Sequence, residues 1–168
     1  MGTSEVVEVA DAVSSLRAAG RLSGQQSGAK IGRTLTRPTE RVDPSKRKRL
    51  EAGAVSEIQG VARFKFHDGK VEEFKRLAAQ CMEIVRTQDA GTLQYEIYFN
   101  DDESECILLE RYRDSEALLE HAAHLGNIME AVFATGSVSS EMLGEPSAEI
   151  RATIAGNGVR LFTPFLSV

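Results

Sequence analysis

Long apolar runs are absent from this chain, and that absence excludes a membrane-spanning helix: no stretch approaches the roughly 18 apolar residues a span requires. Cysteine is scarce. The two present, Cys81 and Cys106, have neither metal-ligand spacing nor the look of a disulfide framework, so free buried thiols in a reducing cytoplasm are expected. No glycine-rich phosphate loop occurs, so flavin or nicotinamide binding has no local support and no cofactor is expected. The opening residues, MGTSEVVEVADAV, lack a basic region followed by an apolar one and are expected not to act as a secretion signal. Tryptophan is missing altogether.

What is present suits a soluble globular protein. The chain has 168 residues, 42% apolar and 27% charged, enough for one domain plus an extension. Its net charge of −5 is unevenly divided. Residues 1–55 carry ten Lys or Arg against six Asp or Glu, and the remainder carries ten against nineteen. The run Lys46-Arg47-Lys48-Arg49 suits an acidic partner or a solvated linker. No aromatics interleave with it, and the acidic remainder argues against nucleic acid as the main ligand. Val6, Val9, Val13 and Leu16 recur at helical spacing, so a short helix is expected over residues 5–19. Residues 20–55 are too polar to bury a core of their own and read as a basic arm, with KIGRTLTRP a weak edge-strand signal. The expected division is therefore an extension, 1–55, that is either a linker or an arm dependent on a protein partner, and a folded domain, 56–168.

Within the domain the periodicity alternates between two and about 3.6. GVARFKF reads as a strand, and Asp68 is placed to cap the helix that follows. That helix carries Val71, Phe74, Leu77, Ala78, Cys81, Ile84 and Val85 on one stripe, and QDAG ends it. A second strand, Thr92 to Asn100, puts Leu93, Tyr95, Ile97 and Phe99 on one face. After the polar loop NDDESE, a third strand alternates Cys106, Leu108, Glu110 and Tyr112 with Ile107, Leu109, Arg111 and Arg113. Asp114 caps a helix with stripe Leu118, Ala122 and Leu125, broken at Gly126 and resumed by Ile128, Met129, Val132 and Phe133. A fourth strand is expected over Val138 to Leu143, then a short helix capped near Ser147 and stopped at Gly156. A terminal strand follows over Val159 to Leu166, with Pro164 suiting an edge. This order predicts an α+β fold, an antiparallel sheet with helices on one face. The other face still carries apolar residues. A second copy covering it would close a barrel across two subunits, so a homodimer or higher homo-oligomer is expected.

The order and spacing of ARFKFHDGKVEEF, GTLQYEIY and LLERYRDSEALLEH resemble the antibiotic biosynthesis monooxygenase family over about Ile58 to Phe133. The resemblance implies a ferredoxin-like fold that pairs as a dimeric α/β barrel. Members include cofactor-independent oxygenases of polyketide phenols, quinol oxidases, a signalling-molecule isomerase and haem-degrading enzymes, so it implies fold more strongly than activity. Tyr112 stands where the family often has tryptophan, and Gly126 where it often has a second histidine. With no tryptophan, a haem-degrading site built on Asn, Trp and His is put in doubt.

The candidate catalytic residues are His121, Tyr95, Tyr112 and Glu110. His121 falls on the apolar stripe of its helix, where a neutral imidazole would take a phenolic proton or would be a core histidine satisfied by a backbone carbonyl. The resemblance places the family's recurrent histidine at this position. Tyr95 and Tyr112 offer hydroxyls to orient a phenol or quinone, or pack with the hydroxyl at a rim. Glu110 is mid-strand and costly if buried unpaired, so an ion pair with Arg63 on the neighbouring strand is expected. Arg63, His124, Met129 and Phe133 are the candidate substrate contacts, the last two being pocket wall or plain core. His121 and His124 lack a third ligand at suitable spacing, so no metal site is expected. The function these residues suggest is a cofactor-independent monooxygenase or related redox enzyme on a small aromatic or quinol, in the cytoplasm and away from membranes. The alternative is a non-catalytic ligand-binding or assembly protein docked to a larger complex by residues 1–55.

Overall fold

The computed structural model describes residues 57–155 and 157–166. The helix expected over 5–19, the basic arm of 20–55 and the stop at Gly156 lie outside these residues. The described chain runs β1 (Ile58–Phe66), α1 (Val71–Gln88), β2 (Thr92–Phe99), β3 (Glu105–Tyr112), α2 (Ser115–Leu125), α3 (Met129–Phe133), β4 (Gly136–Leu143), α4 (Ala148–Ile154) and β5 (Arg160–Phe162). The sheet order is β2-β3-β1-β4-β5. The first four strands pair antiparallel in the ferredoxin-like order, as expected. β5 adds to β4 in parallel, which makes the sheet mixed. It spans three residues rather than the eight expected, because Pro164 follows closely and has no N–H to continue a ladder.

Alternation sends Ile58, Phe64, Cys106, Leu108, Tyr112, Val138 and Met142 toward the helices, where they are buried. α1 meets them with Phe74, Leu77, Cys81 and Val85. Each large apolar side chain so buried contributes about 1.5–3 kcal/mol before entropy is counted. Two clusters result. One centres on α1, α3 and the middle of the sheet, the other on Ile58, Tyr112, α2 and α4. Between them lies the site described below.

Three local expectations need correction. Asp68 does not cap α1; the helix starts after Lys70, because Gly69 at φ +73° turns the chain and the Lys70 N–H bonds to the His67 carbonyl. Leu93 does not share a buried face with Tyr95. A register shift between Thr92 and Gln94 turns it outward to 45% exposure. Arg63 and Glu110 do not pair. Gly60 stands opposite Glu110 and Arg63 opposite Ile107, so the two side chains point to opposite faces. Arg63 instead lies 3.8 Å from Glu141 of β4, at the exposed surface. The other caps hold: Asp114 accepts from the Ala117 N–H at 2.8 Å and Ser147 from the Ile150 N–H at 3.3 Å.

Candidate active site

β3 brings Glu110 to the inner face between Gly60 of β1 and Tyr95 of β2. Gly60 leaves room for that carboxylate: a Cβ on it would meet Glu110 Oε2 at 2.9 Å. α2 lays His121 over this point, its ring centroid 5.1 Å from that of Tyr112 and 5.7 Å from that of Tyr95. His121 is buried and so is Asp89, which follows the last turn of α1. His121 Nδ1 lies 2.7 Å from Asp89 Oδ2, and His121 Nε2 lies 3.5 Å from Glu110 Oε1. The other oxygen of Asp89, Oδ1, contacts Nδ1 of His124, whose side chain is about one-third exposed.

This arrangement sets the charges. Burial acts to lower the His121 pKa, but the Asp89 and Glu110 carboxylates outweigh it and raise the pKa to about 9. At neutral pH the ring is therefore an imidazolium, donating from Nδ1 to Asp89 and facing Glu110 Oε1 with Nε2 at the ion-pair distance of 3.5 Å. Burial acts to raise the Asp89 pKa, yet the two histidines hold it below its ordinary value. The neutral imidazole expected from sequence does not describe the resting site, nor does a histidine satisfied by a backbone carbonyl. Burial also pushes the Tyr112 phenol well up, aided by the charge of Glu110. The Tyr112 hydroxyl has no hydrogen-bond partner of acceptable geometry, so Glu110 acts on it through space. Tyr95 is likewise raised, by burial first and then by Glu110.

A cavity of about 130 Å³ opens beside the pair, between the sheet and α2. Glu110, Tyr112, His121, Met129 and Phe133 line it, with Leu118, Ala122, Leu125, Met142 and Ile154 among its apolar walls. Of the other residues expected to contact a substrate, Arg63 lies on the opposite sheet face. His124 braces Asp89 instead, and Tyr95 touches the site through the His121 ring rather than the cavity. Among the described residues no three His, Cys, Asp or Glu side chains are grouped to hold a metal ion. None of their helices is long and apolar enough to cross a membrane.

Sequence reasoning missed Asp89, reading QDAG only as a helix end. A signal was present. A carboxylate at a helix C-terminus opposes the macrodipole, so an acid there calls for a cationic partner.

Residues 60–126 match the family model described as antibiotic biosynthesis monooxygenase. No curated protein matches the sequence. Among solved structures, MupZ from Pseudomonas fluorescens is similar at 22% identity and a TM-score of 0.58, over 67% of this chain and 93% of that one. This likeness shows a shared fold. Rv0793 from Mycobacterium tuberculosis is similar at 25% identity, over 54% of this chain and 96% of that one, with a TM-score of 0.48. SnoaB, a cofactor-independent oxygenase from Streptomyces nogalater, is similar at 18% identity, over 51% and 89%, with a TM-score of 0.46.

Proposed function

We propose that this chain, whose residues 60–126 carry an antibiotic biosynthesis monooxygenase domain, is a cofactor-independent monooxygenase or related redox enzyme acting on a small aromatic or quinol substrate. One observation carries the reading: a buried imidazolium between two carboxylates at the polar end of an otherwise apolar cavity. A phenol lying there meets the Glu110 carboxylate as proton acceptor, a part the sequence suggested for His121. The His121 cation, held by Asp89, then stabilises the phenolate. The phenolate is electron-rich enough to reduce dioxygen. One oxygen atom enters the ring carbon opposite the hydroxyl, the other leaves as water with the phenolic hydrogen and the hydrogen of that carbon, and the phenol becomes a quinone. No external reductant is required. The apolar walls limit water, which strengthens the charge interactions inside.

The reading includes a homodimer through the outer sheet face, with the segment Val159 to Leu166 clasping the partner. Leu93, Tyr98, Leu143 and Phe162 are large apolar side chains left exposed, and Phe165 is 93% exposed.

A second reading, a ligand-binding or assembly protein docked through residues 1–55, is favoured by one feature. Both His121 nitrogens are already occupied by carboxylates, which also suits a purely structural core pair. Oxygen uptake and quinone absorbance, measured with the full chain, phenols and hydroquinones and no added cofactor, separate the two. Uptake that disappears in Glu110→Gln supports the enzyme. No uptake with any of these compounds supports the binding protein.

A further inference from the structure

Size and polarity together restrict what the cavity accepts. Its volume of about 130 Å³ is close to that of a cavity known to hold benzene, about 150 Å³, and well under the roughly 300 Å³ at which drug-sized sites begin. The walls come from β1, β3, β4, α2, α3 and α4, elements already packed into the two core clusters, with only Val159 contributed by a connection, the one between α4 and β5. At the polar end, the Glu110 side chain retains 19% of its exposure while that of His121 retains 7%, so Glu110 is the group a ligand meets first. A carboxylate accepts and does not donate, so the ligand must bring a hydroxyl or N–H.

We infer that the cavity takes substrates with a single aromatic ring bearing a hydroxyl directed at Glu110, and rejects fused-ring and hydroxyl-free analogues. This rests on the reading of the site as a pocket for an aromatic substrate. It also gives a reason for product release. A quinone presents a carbonyl where the phenol presented its hydroxyl, and two acceptors facing each other cannot share a hydrogen bond.

Calorimetric titration of the full chain with phenol, anisole and 1-naphthol, under nitrogen, tests this. Phenol should bind at one saturable site. Anisole, which lacks the donor, and 1-naphthol, which has a second ring, should each bind at least about 10-fold more weakly. Met129→Ala, at a half-buried wall position, should narrow the gap between naphthol and phenol. Should that variant not fold, Ala122→Val, which narrows the cavity, should weaken phenol itself. Naphthol or anisole binding as tightly as phenol overturns the inference, as does the lack of saturable phenol binding. Because binding is read without turnover, phenol that binds but is never oxidised sinks the enzyme reading and leaves this one standing. Oxidation of fused-ring phenols does the reverse.

Discussion

His121 donates its Nδ1–H to Asp89 Oδ2 across 2.7 Å, tying the middle of α2 to the end of α1 over 32 residues of sequence. The contact fixes the ring orientation and supplies the charge that keeps it protonated. Asp89→Asn preserves much of the shape and removes the charge. The His121 pKa should then fall well below about 9, and the fold should lose about 1–3 kcal/mol as hydrogen bonds to a charged group become neutral ones. NMR titration of the His121 ring reads the first and urea denaturation the second. A ring that still titrates near its original value would refute the role given to Asp89.

How much of this was legible from sequence follows from what each signal depends on. The strand and helix periodicities depend only on local alternation, so the order of elements and the inward stripe carrying His121 emerged directly. Glu110 was placed on the correct face by the same alternation, but its partner was not. Pairing register decides whether Arg63 or Gly60 stands beside it, and register is a long-range property. Leu93 was misassigned because one extra residue at a bulge inverts the alternation on one side of it. The contact of Asp89 with two histidines needs α1 and α2 docked side by side, and no spacing in the chain encodes that.

Gly60 tests the geometry without removing any polar group. The one over-close contact of a Cβ there is with the flexible end of Glu110, so Gly60→Ala should fold, with stability changed by about 1 kcal/mol or less. The carboxylate must move, and its placement relative to His121 Nε2 with it. Turnover on phenols or hydroquinone should fall markedly while the melting temperature holds. Equal losses in both would mean that the strand, not the carboxylate, had been disturbed.

The cation itself is tested by His121→Ala and His121→Gln. If the imidazolium stabilises a phenolate, each should lower turnover by about 10²-fold or more, the scale of a well-positioned acid–base or electrostatic group. Glu110→Gln should be as severe and should not add fully to His121→Gln, because the two groups are in contact and act on the same phenolic oxygen. Turnover per folded molecule that stays intact in the His121 variants would reduce the residue to a structural part.

Stability should depend on pH in a stated direction. The folded His121 pKa, about 9, lies above its ordinary value of 6.5. Its contribution is therefore fully present below about pH 6.5 and is lost as pH rises through 9, with an upper bound of roughly 3 kcal/mol. Asp89 has the opposite sign, since its pKa is depressed. It stabilises above its ordinary value of 3.8 and loses that contribution as pH falls through the folded one. Denaturant midpoints at pH 6, 8 and 10 should fall in that order, and His121→Gln should flatten the decline. A wild-type decline that the variant reproduces unchanged would assign it to other groups.

The outer sheet face carries the last prediction. Leu93, Tyr98 and Leu143 are exposed on it, and Phe162, Phe165 and Leu166 lie in the segment at and beyond the edge strand. Arg63, Lys65, Arg111, Glu105 and Glu141 bring charges of both signs to the same face, which suits a self-complementary surface. A second copy laid across it would bury the apolar residues and let Phe165 and Leu166 reach over the partner. Light scattering on the full chain at micromolar concentration should give twice the monomer mass of 18.3 kDa, or a higher multiple. Phe165→Asp with Leu166→Asp should weaken association without unfolding the subunit, since both side chains are almost fully exposed in the single chain. A wild-type monomer at that concentration would remove the barrel across two subunits, and association untouched by the double substitution would remove the clasp alone.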